Sequence, residues 1–137
     1  MILARRLLVI VVLLASVLAA CGSSGSSTSA AKRPTTAAQM RVDSPTPNQV
    51  TGSNVTVRIT ITGAEVVPAS TTSGPLRGDR GHIHLSVDGK LVVMGYTTTQ
   101  DLPGLTPGTH TLQAEFVAVD HQPFANRLIV PVIFQVQ

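Results

Sequence analysis

Two histidines separated by one residue stand in the stretch GHIHLSVDGK, residues 81–90. On a β-strand, alternate side chains share a face, so His82 and His84 would have Cα atoms about 6.6 Å apart on one side of a sheet. Imidazoles at this spacing can hold one zinc or copper ion when a third ligand approaches. The remaining histidines, His110 and His121, are candidates for that ligand. Carboxylate candidates are Asp79, Glu115 and Asp120.

The dipeptide Asp88-Gly89 predicts a two-residue type I′ hairpin turn after the histidines. The simplest register then places Ile83 opposite Met94 on the more apolar face, which is therefore the predicted core face. Both histidines are predicted to point away from the core. Because Met94 would lie on the opposite face, this register argues against a copper site made of two histidines and a methionine within the hairpin.

Each histidine also has an interpretation that needs no metal. His82 and His84 could form a solvated strand face or a surface that contacts a partner. His110 follows an LTPG turn, where its ring could hydrogen-bond across the start of a strand. His121 lies in a predicted loop, where Asp120 or a backbone group could satisfy its ring.

Segments with a period of two surround these residues and must position them. Asn54–Thr62 (NVTVRITIT) and Gly108–Asp120 (GTHTLQAEFVAVD) alternate apolar and polar residues, and so does Leu128–Val136 (LIVPVIFQV). Pro131 lacks an amide donor, so the last strand is predicted at a sheet edge or with a bulge. Short alternating strands separated by turns predict an all-β, immunoglobulin-like antiparallel β-sandwich over residues 40–137.

The amino-terminal residues have a different pattern. Arg5 and Arg6 precede an uncharged, mostly aliphatic run, residues 7–20, which is shorter than the roughly 20 residues that cross a bilayer. Residues 1–20 are therefore predicted to be a signal peptide. Residues 22–39 are rich in Ser, Gly and Thr, and residues 21–39 are predicted to be a flexible tether.

The signal peptide ends in the sequence LAAC, and its cysteine, Cys21, is the only one in the chain. This ending resembles the lipobox of bacterial lipoproteins. The resemblance implies cleavage between Ala20 and Cys21, a diacylglycerol on the Cys21 thiol, and a further acyl chain such as palmitate on the new amino terminus. Two or three acyl chains would hold the protein durably at the cell membrane or envelope, on the extracytoplasmic side. The alternative is an ordinary cleaved signal with a free cysteine.

Composition argues against two functional classes. Of the formal net charge of +3, two units belong to the arginines of the signal, and three Phe, one Tyr and no Trp offer little for stacking on bases. Nucleic-acid binding is therefore not predicted. The sequence lacks a G-x-S-x-G elbow, a phosphate-binding loop and a dinucleotide fingerprint, so no enzyme is predicted either.

Several short motifs occur in a fixed order: VVPA, GHIHLSVDG, LTPGTHTLQ and DHQPF. Their order resembles a family of small secreted bacterial domains of unknown function, across most of residues 43–136. The resemblance implies an envelope domain without an established activity. Members of that family tend to carry the triplet GHHH where Ile83 here replaces the middle histidine, and this departure weakens the metal function that the resemblance would imply.

The main prediction is a lipid-anchored, non-enzymatic binding or structural module. Its predicted partner is a protein or polymer of the envelope, and no cofactor is predicted. The first alternative is a copper- or zinc-binding envelope lipoprotein that uses the His82/His84 pair. The second alternative is an adhesion module that uses the irregular segment 69–81. Its RGD tripeptide, Arg77 to Asp79, is too short a motif to indicate an integrin ligand.

Overall fold

The alternating segments form two packed β-sheets in the computed structural model, which describes residues 32–68, 70–72 and 74–137. Over these ranges no helix has the length and apolar character needed to span a membrane. The described strands are β1 (Gln39–Ser44), β2 (Val50–Thr51), β3 (Val55–Thr62), β4 (Glu65–Val66), β5 (Arg80–Val87), β6 (Lys90–Gly95), β7 (Thr99–Leu102), β8 (Gly108–Ala118) and β9 (Pro123–Val136).

The smaller sheet has three strands in the order β1-β3-β7, and both pairings are antiparallel. The larger sheet has six strands in the order β2-β9-β8-β5-β4, and β6 also pairs with β5. Its long pairings, β5–β8 and β8–β9, are antiparallel, whereas the two-residue strands β2 and β4 pair in parallel. This two-sheet architecture is an all-β sandwich, and the prediction of fold class is confirmed.

The core lies between the sheets and is built from the apolar positions of the alternating strands. The predicted inward face of β8 is fully buried, and alternate residues of β3 and β9 are buried with it. Burial of each large apolar side chain contributes about 1.5–3 kcal/mol to folding. Buried core residues of these three strands are Val55, Val57, Ile59, Leu112, Ala114, Phe116, Ala118, Val132, Phe134 and Val136.

Pro131 lies where its missing amide donor is not needed. It pairs with Gln113 of β8 on one side, and β9 meets β2 on the other side only at Gln135 and Val136. At Pro131 the outer edge of β9 is therefore outside the β2 ladder. The edge position predicted for this proline is confirmed.

The β5–β6 hairpin has the predicted turn but a different register. Asp88 and Gly89 have φ angles of 52° and 80°, as a type I′ turn requires. Beyond the turn, however, a β-bulge inserts Val92 as an extra residue in β6, so His84 pairs with Met94. The predicted pairing of Ile83 with Met94 is wrong, because one additional residue reverses the face of every side chain beyond it.

Residues 33–38, which the sequence assigned to the tether, contact the domain before β1 begins. The Thr36 amide donates to Asn126 Oδ1 and the Asn126 side chain donates to the Thr36 carbonyl, both at 2.8 Å. Ala125 N–H also donates to the Pro34 carbonyl at 2.9 Å. The packed structure thus begins before Met40. The predicted signal peptide, the cleavage site at Ala20 and Cys21, and the tether up to residue 31 lie outside the described residues.

Candidate functional site

The site is built on β5, the strand that pairs with both β8 and β6. Ile83 and Leu85 of this strand are fully buried in the core, so His82 and His84 project from the outer face of the larger sheet. At the start of β5, a Cβ on Gly81 would lie 2.0 Å from the Val117 carbonyl oxygen. Glycine at this position lets β5 and β8 approach closely beside the first histidine.

His82 points away from the core but is not solvated, so the predicted solvated strand face is wrong for this residue. Its ring is fully buried. Nδ1 lies 3.1 Å from the Val67 carbonyl oxygen and Nε2 lies 3.3 Å from the Val119 carbonyl oxygen. The ring of Tyr96 packs edge-on against it, at 4.9 Å between centroids. The segment after β4 and the β8–β9 connection cover the outer face of the sheet at this point. The alternation of apolar and polar residues along one strand cannot predict such contacts.

His121 completes the cluster from the β8–β9 turn. Its φ of 61° is in the left-handed region, where a non-glycine residue is uncommon. Its backbone N–H donates to the Ala118 carbonyl at 2.9 Å. The ring stacks on His82 with a centroid distance of 4.5 Å. It also lies nearly parallel to the ring of His84, at 5.5 Å. The turn therefore places the third histidine over the ring of His82 and edge to edge with the ring of His84.

The half-buried rings of His84 and His121 turn one nitrogen toward each other. His84 Nε2 and His121 Nδ1 are 3.2 Å apart. Two nitrogens bound to one metal at about 2.0–2.1 Å in tetrahedral geometry would be about 3.3 Å apart. At this distance the contact is a hydrogen bond, so one of the two nitrogens carries the proton, and the centroid distance of 5.5 Å shows that the nitrogens point head-on. A metal bound by both rings would require that proton to leave this nitrogen and both rings to turn toward the ion.

Burial favours the neutral form of two of these imidazoles, and the neutral form is the one that binds metals. Burial, followed by the proximity of His121, lowers the pKa of His82. The same two effects lower the pKa of His84, and the negative charge of Glu115 only partly opposes them. The lowered pKa therefore favours the neutral form of the His84 ring.

Arg33 fixes the turn that presents His121. Its guanidinium forms a two-point ion pair with the carboxylate of Asp120, and also donates to the carbonyls of Gln122 and Pro123 at 2.8 and 3.0 Å. Hydrogen bonding from Arg33 lowers the pKa of Asp120. Neither Arg33 nor Tyr96 was predicted as a site residue, because only the folded chain brings them to the histidines.

The three carboxylates predicted as ligand candidates each bind an arginine instead. Asp120 is held by Arg33, as described above. Glu115, which pairs with His84 across the sheet, accepts two hydrogen bonds of 2.8 Å from Arg127. Within the described ranges, no three His, Cys, Asp or Glu side chains form a group that could hold a metal ion. The ligands brought together here are thus the two facing imidazoles.

His110, the fourth predicted candidate, lies away from this cluster. Its Nδ1 is 2.7 Å from Asp88 Oδ2 and its Nε2 is 2.8 Å from the Thr106 carbonyl oxygen. These bonds join the hairpin turn to the start of β8, which is the hydrogen-bonding role that the sequence offered as an alternative. The bond to Thr106, and then the bond to Asp88, raise the pKa of His110.

The segment proposed for adhesion is described except at residues 69 and 73. Arg77 and Asp79 of the RGD tripeptide pair with each other through hydrogen bonds of 2.9 and 2.6 Å. Their charged groups therefore satisfy one another on the surface. The adhesion function of this segment stays a prediction.

Comparison with known proteins adds a structural likeness. No protein-family model matches the chain, and no curated protein matches it. Among solved structures, the chain is similar to the fibronectin(III)-like modules of Clostridium thermocellum CbhA, with a TM-score of 0.47 and 14% sequence identity. The match covers 72% of this chain and 94% of that chain. Inference about function therefore depends on the site itself.

Proposed function

We propose that this protein is a lipid-anchored envelope protein whose immunoglobulin-like domain is a non-enzymatic binding module for a copper or zinc ion. The observation that supports the metal is the 3.2 Å separation between His84 Nε2 and His121 Nδ1. Two imidazoles held at this distance would supply two of the four ligands of a tetrahedral metal site.

His82 supports the two ligands and does not bind the metal itself. Both of its nitrogens face backbone carbonyls, and its ring stacks beneath His121. Such outer contacts orient metal ligands, and their loss typically costs about 10–100-fold in affinity. His84 directs Nε2 toward His121 rather than toward Ser86, which favours metal binding over nucleophilic catalysis.

A titration tests the metal proposal. The full chain carrying Cys21→Ser, in detergent, would be titrated calorimetrically with zinc(II) and, under anaerobic reducing conditions, with copper(I). The Cys21→Ser substitution removes a thiol that would compete for either metal. His84→Ala and His121→Ala are each expected to lower affinity by at least about tenfold, because each removes one of two imidazole ligands.

His110→Gln is the matched control, since that imidazole bonds to Asp88 and Thr106 instead. Its affinity should equal that of the parent chain. If the double variant His84→Ala, His121→Ala bound both metals as tightly as the parent, the proposed metal function would be wrong.

The anchor is a separate part of the proposal, and its support is the LAAC sequence that ends at Cys21. In the cells that make it, the protein should enter the detergent phase on phase separation. Cys21→Ser should move it to the aqueous phase, because acylation needs the thiol. Ser23→Ala, two residues away, is the control and should leave partitioning unchanged. A Cys21→Ser protein that stayed in the detergent phase would contradict lipid anchoring.

A further inference from the structure

The bulge in β6 brings a thioether to the histidine face. From the turn, Val87 pairs with Lys90 and Ser86 with Leu91, but Leu85 then pairs with Val93 because Val92 is the extra residue. Val93 packs against the core. Met94, the next residue, therefore projects from the outer face, opposite His84.

Met94 is exposed over 52% of its surface although its side chain is apolar. Directly opposed residues on antiparallel strands have Cβ atoms about 4.5–5.5 Å apart. A methionine has three rotatable side-chain bonds, so its sulfur can swing toward a metal between His84 and His121. An exposed thioether next to two facing imidazoles is a ligand in reach.

The competing hard ligand is already occupied. His84 has two cross-strand partners, Met94 in β6 and Glu115 in β8. Both carboxylate oxygens of Glu115 accept hydrogen bonds from Arg127. Glu115 could therefore bind a metal only if this two-point ion pair broke. Carboxylates suit hard ions, whereas thioethers select copper(I). The free neighbour of His84 is therefore the one that favours a soft metal.

We infer that the metal of this site is copper(I), bound by His84, His121 and the sulfur of Met94. All three ligands are neutral, so the bound ion keeps a single positive charge at a half-exposed position and needs no buried anion. This inference rests on the proposed metal function and specifies its ion. Zinc(II), which binds neutral thioethers poorly, would use only the two imidazoles and solvent.

Met94→Leu tests the inference, because leucine keeps an apolar side chain of similar size and removes the sulfur. In the full chain with Cys21→Ser, copper(I) affinity would be measured by competition with a chromophoric copper(I) chelator, and zinc(II) affinity by calorimetry. Copper(I) affinity should fall by at least about tenfold, while zinc(II) affinity stays within about threefold. X-ray absorption of the copper(I) complex should show a sulfur neighbour that Met94→Leu removes.

Met40→Leu in β1, on the smaller sheet, is the matched control and should change neither affinity. Unchanged copper(I) affinity in Met94→Leu would overturn the inference, and continued loss of affinity in His84→Ala would leave the proposed metal function standing. Equal losses for both metals in Met94→Leu would also overturn the inference, because a structural effect would explain them. If neither metal bound the parent chain, both proposals would be wrong.

Discussion

Near the start of β8, His110 directs both ring nitrogens to oxygen atoms of the protein, whereas near its end His84 and His121 direct a nitrogen at each other. The first arrangement includes a carboxylate, and it raises the pKa of His110. The second is half-buried, and burial lowers the pKa of His84. The first region therefore favours the protonated form of His110, and the second favours the neutral form of His84, which is the form that binds a metal.

This contrast shows that the neighbours of an imidazole decide its role. All four histidines were metal candidates from residue type alone. In the folded chain, the ring nitrogens of His110 and His82 contact oxygen atoms of the protein. His84 and His121 instead contact each other through one nitrogen of each ring. Four experiments test whether the histidines divide into these two roles.

The largest effect is expected from His82→Ala. The substitution leaves a cavity under His121 and removes the ring that bonds to the Val67 or Val119 carbonyl, so the free energy of unfolding should fall by about 3 kcal/mol. His84→Ala, at a half-buried position, should cost less than about 1 kcal/mol. Urea denaturation of the metal-free chains measures both, and equal losses would contradict the supporting role given to His82.

Zinc should raise the free energy of unfolding only when both His84 and His121 are present. At a free concentration of 100 times its dissociation constant, a ligand that binds only the folded state adds about 2.7 kcal/mol to the free energy of unfolding. The added stability should be present in His110→Gln and absent in the double variant His84→Ala, His121→Ala. Denaturation midpoints with and without zinc would reveal it, and a similar gain in the double variant would place the metal elsewhere.

A smaller effect should follow loss of the Arg33 ion pair. Arg33→Gln frees the turn that holds His121, so we expect a loss of about 1 kcal/mol and a several-fold weaker zinc affinity. Arg41→Gln is the control, since its pair with Asp43 is exposed and should contribute nothing measurable. Stability and zinc affinity unchanged by Arg33→Gln would show that the turn holds His121 without this clamp.

The smallest effect is a pH dependence at His110. Its pKa is raised above the unfolded value near 6.5, so its stabilisation is complete below about pH 6.5 and is lost as pH rises through the folded pKa. Asp88→Asn keeps the turn but removes the charge. Its destabilisation, below about 1 kcal/mol because Asp88 is half-exposed, should be larger at about pH 5.5 than at about pH 9.

Urea unfolding of the parent and Asp88→Asn chains at both pH values isolates this pair. The lowered pKa values of His82 and His84 act in the opposite direction, since stability from such groups increases as pH rises toward 6.5. Their effect is common to both chains and cancels in the difference. An equal or larger difference at the higher pH would refute the assigned role of the Asp88–His110 bond.

Local pattern predicted much of the fold and little of the site. The faces of β3, β8 and β9 follow from residues two positions apart, and the hairpin turn follows from the conformations that Asp88 and Gly89 tolerate. The burial of His82 depends on Val119, 37 positions away, and the fixing of His121 on Arg33, 87 positions from Asp120. The alternation of apolar and polar residues along a strand contains no information on such distant contacts. It also does not show where a β-bulge adds a residue to one strand of a pair.

The bulge at Val92 also affects how this protein meets its neighbours in solution. Among the described strands, β6 pairs on one side with β5 and presents its other side and the apolar residues Leu91, Val92 and Met94 to solvent. A regular apolar edge of this kind would invite another chain to add a strand. The extra residue interrupts the spacing of amide and carbonyl groups along β6, which makes the edge a poor template for aggregation.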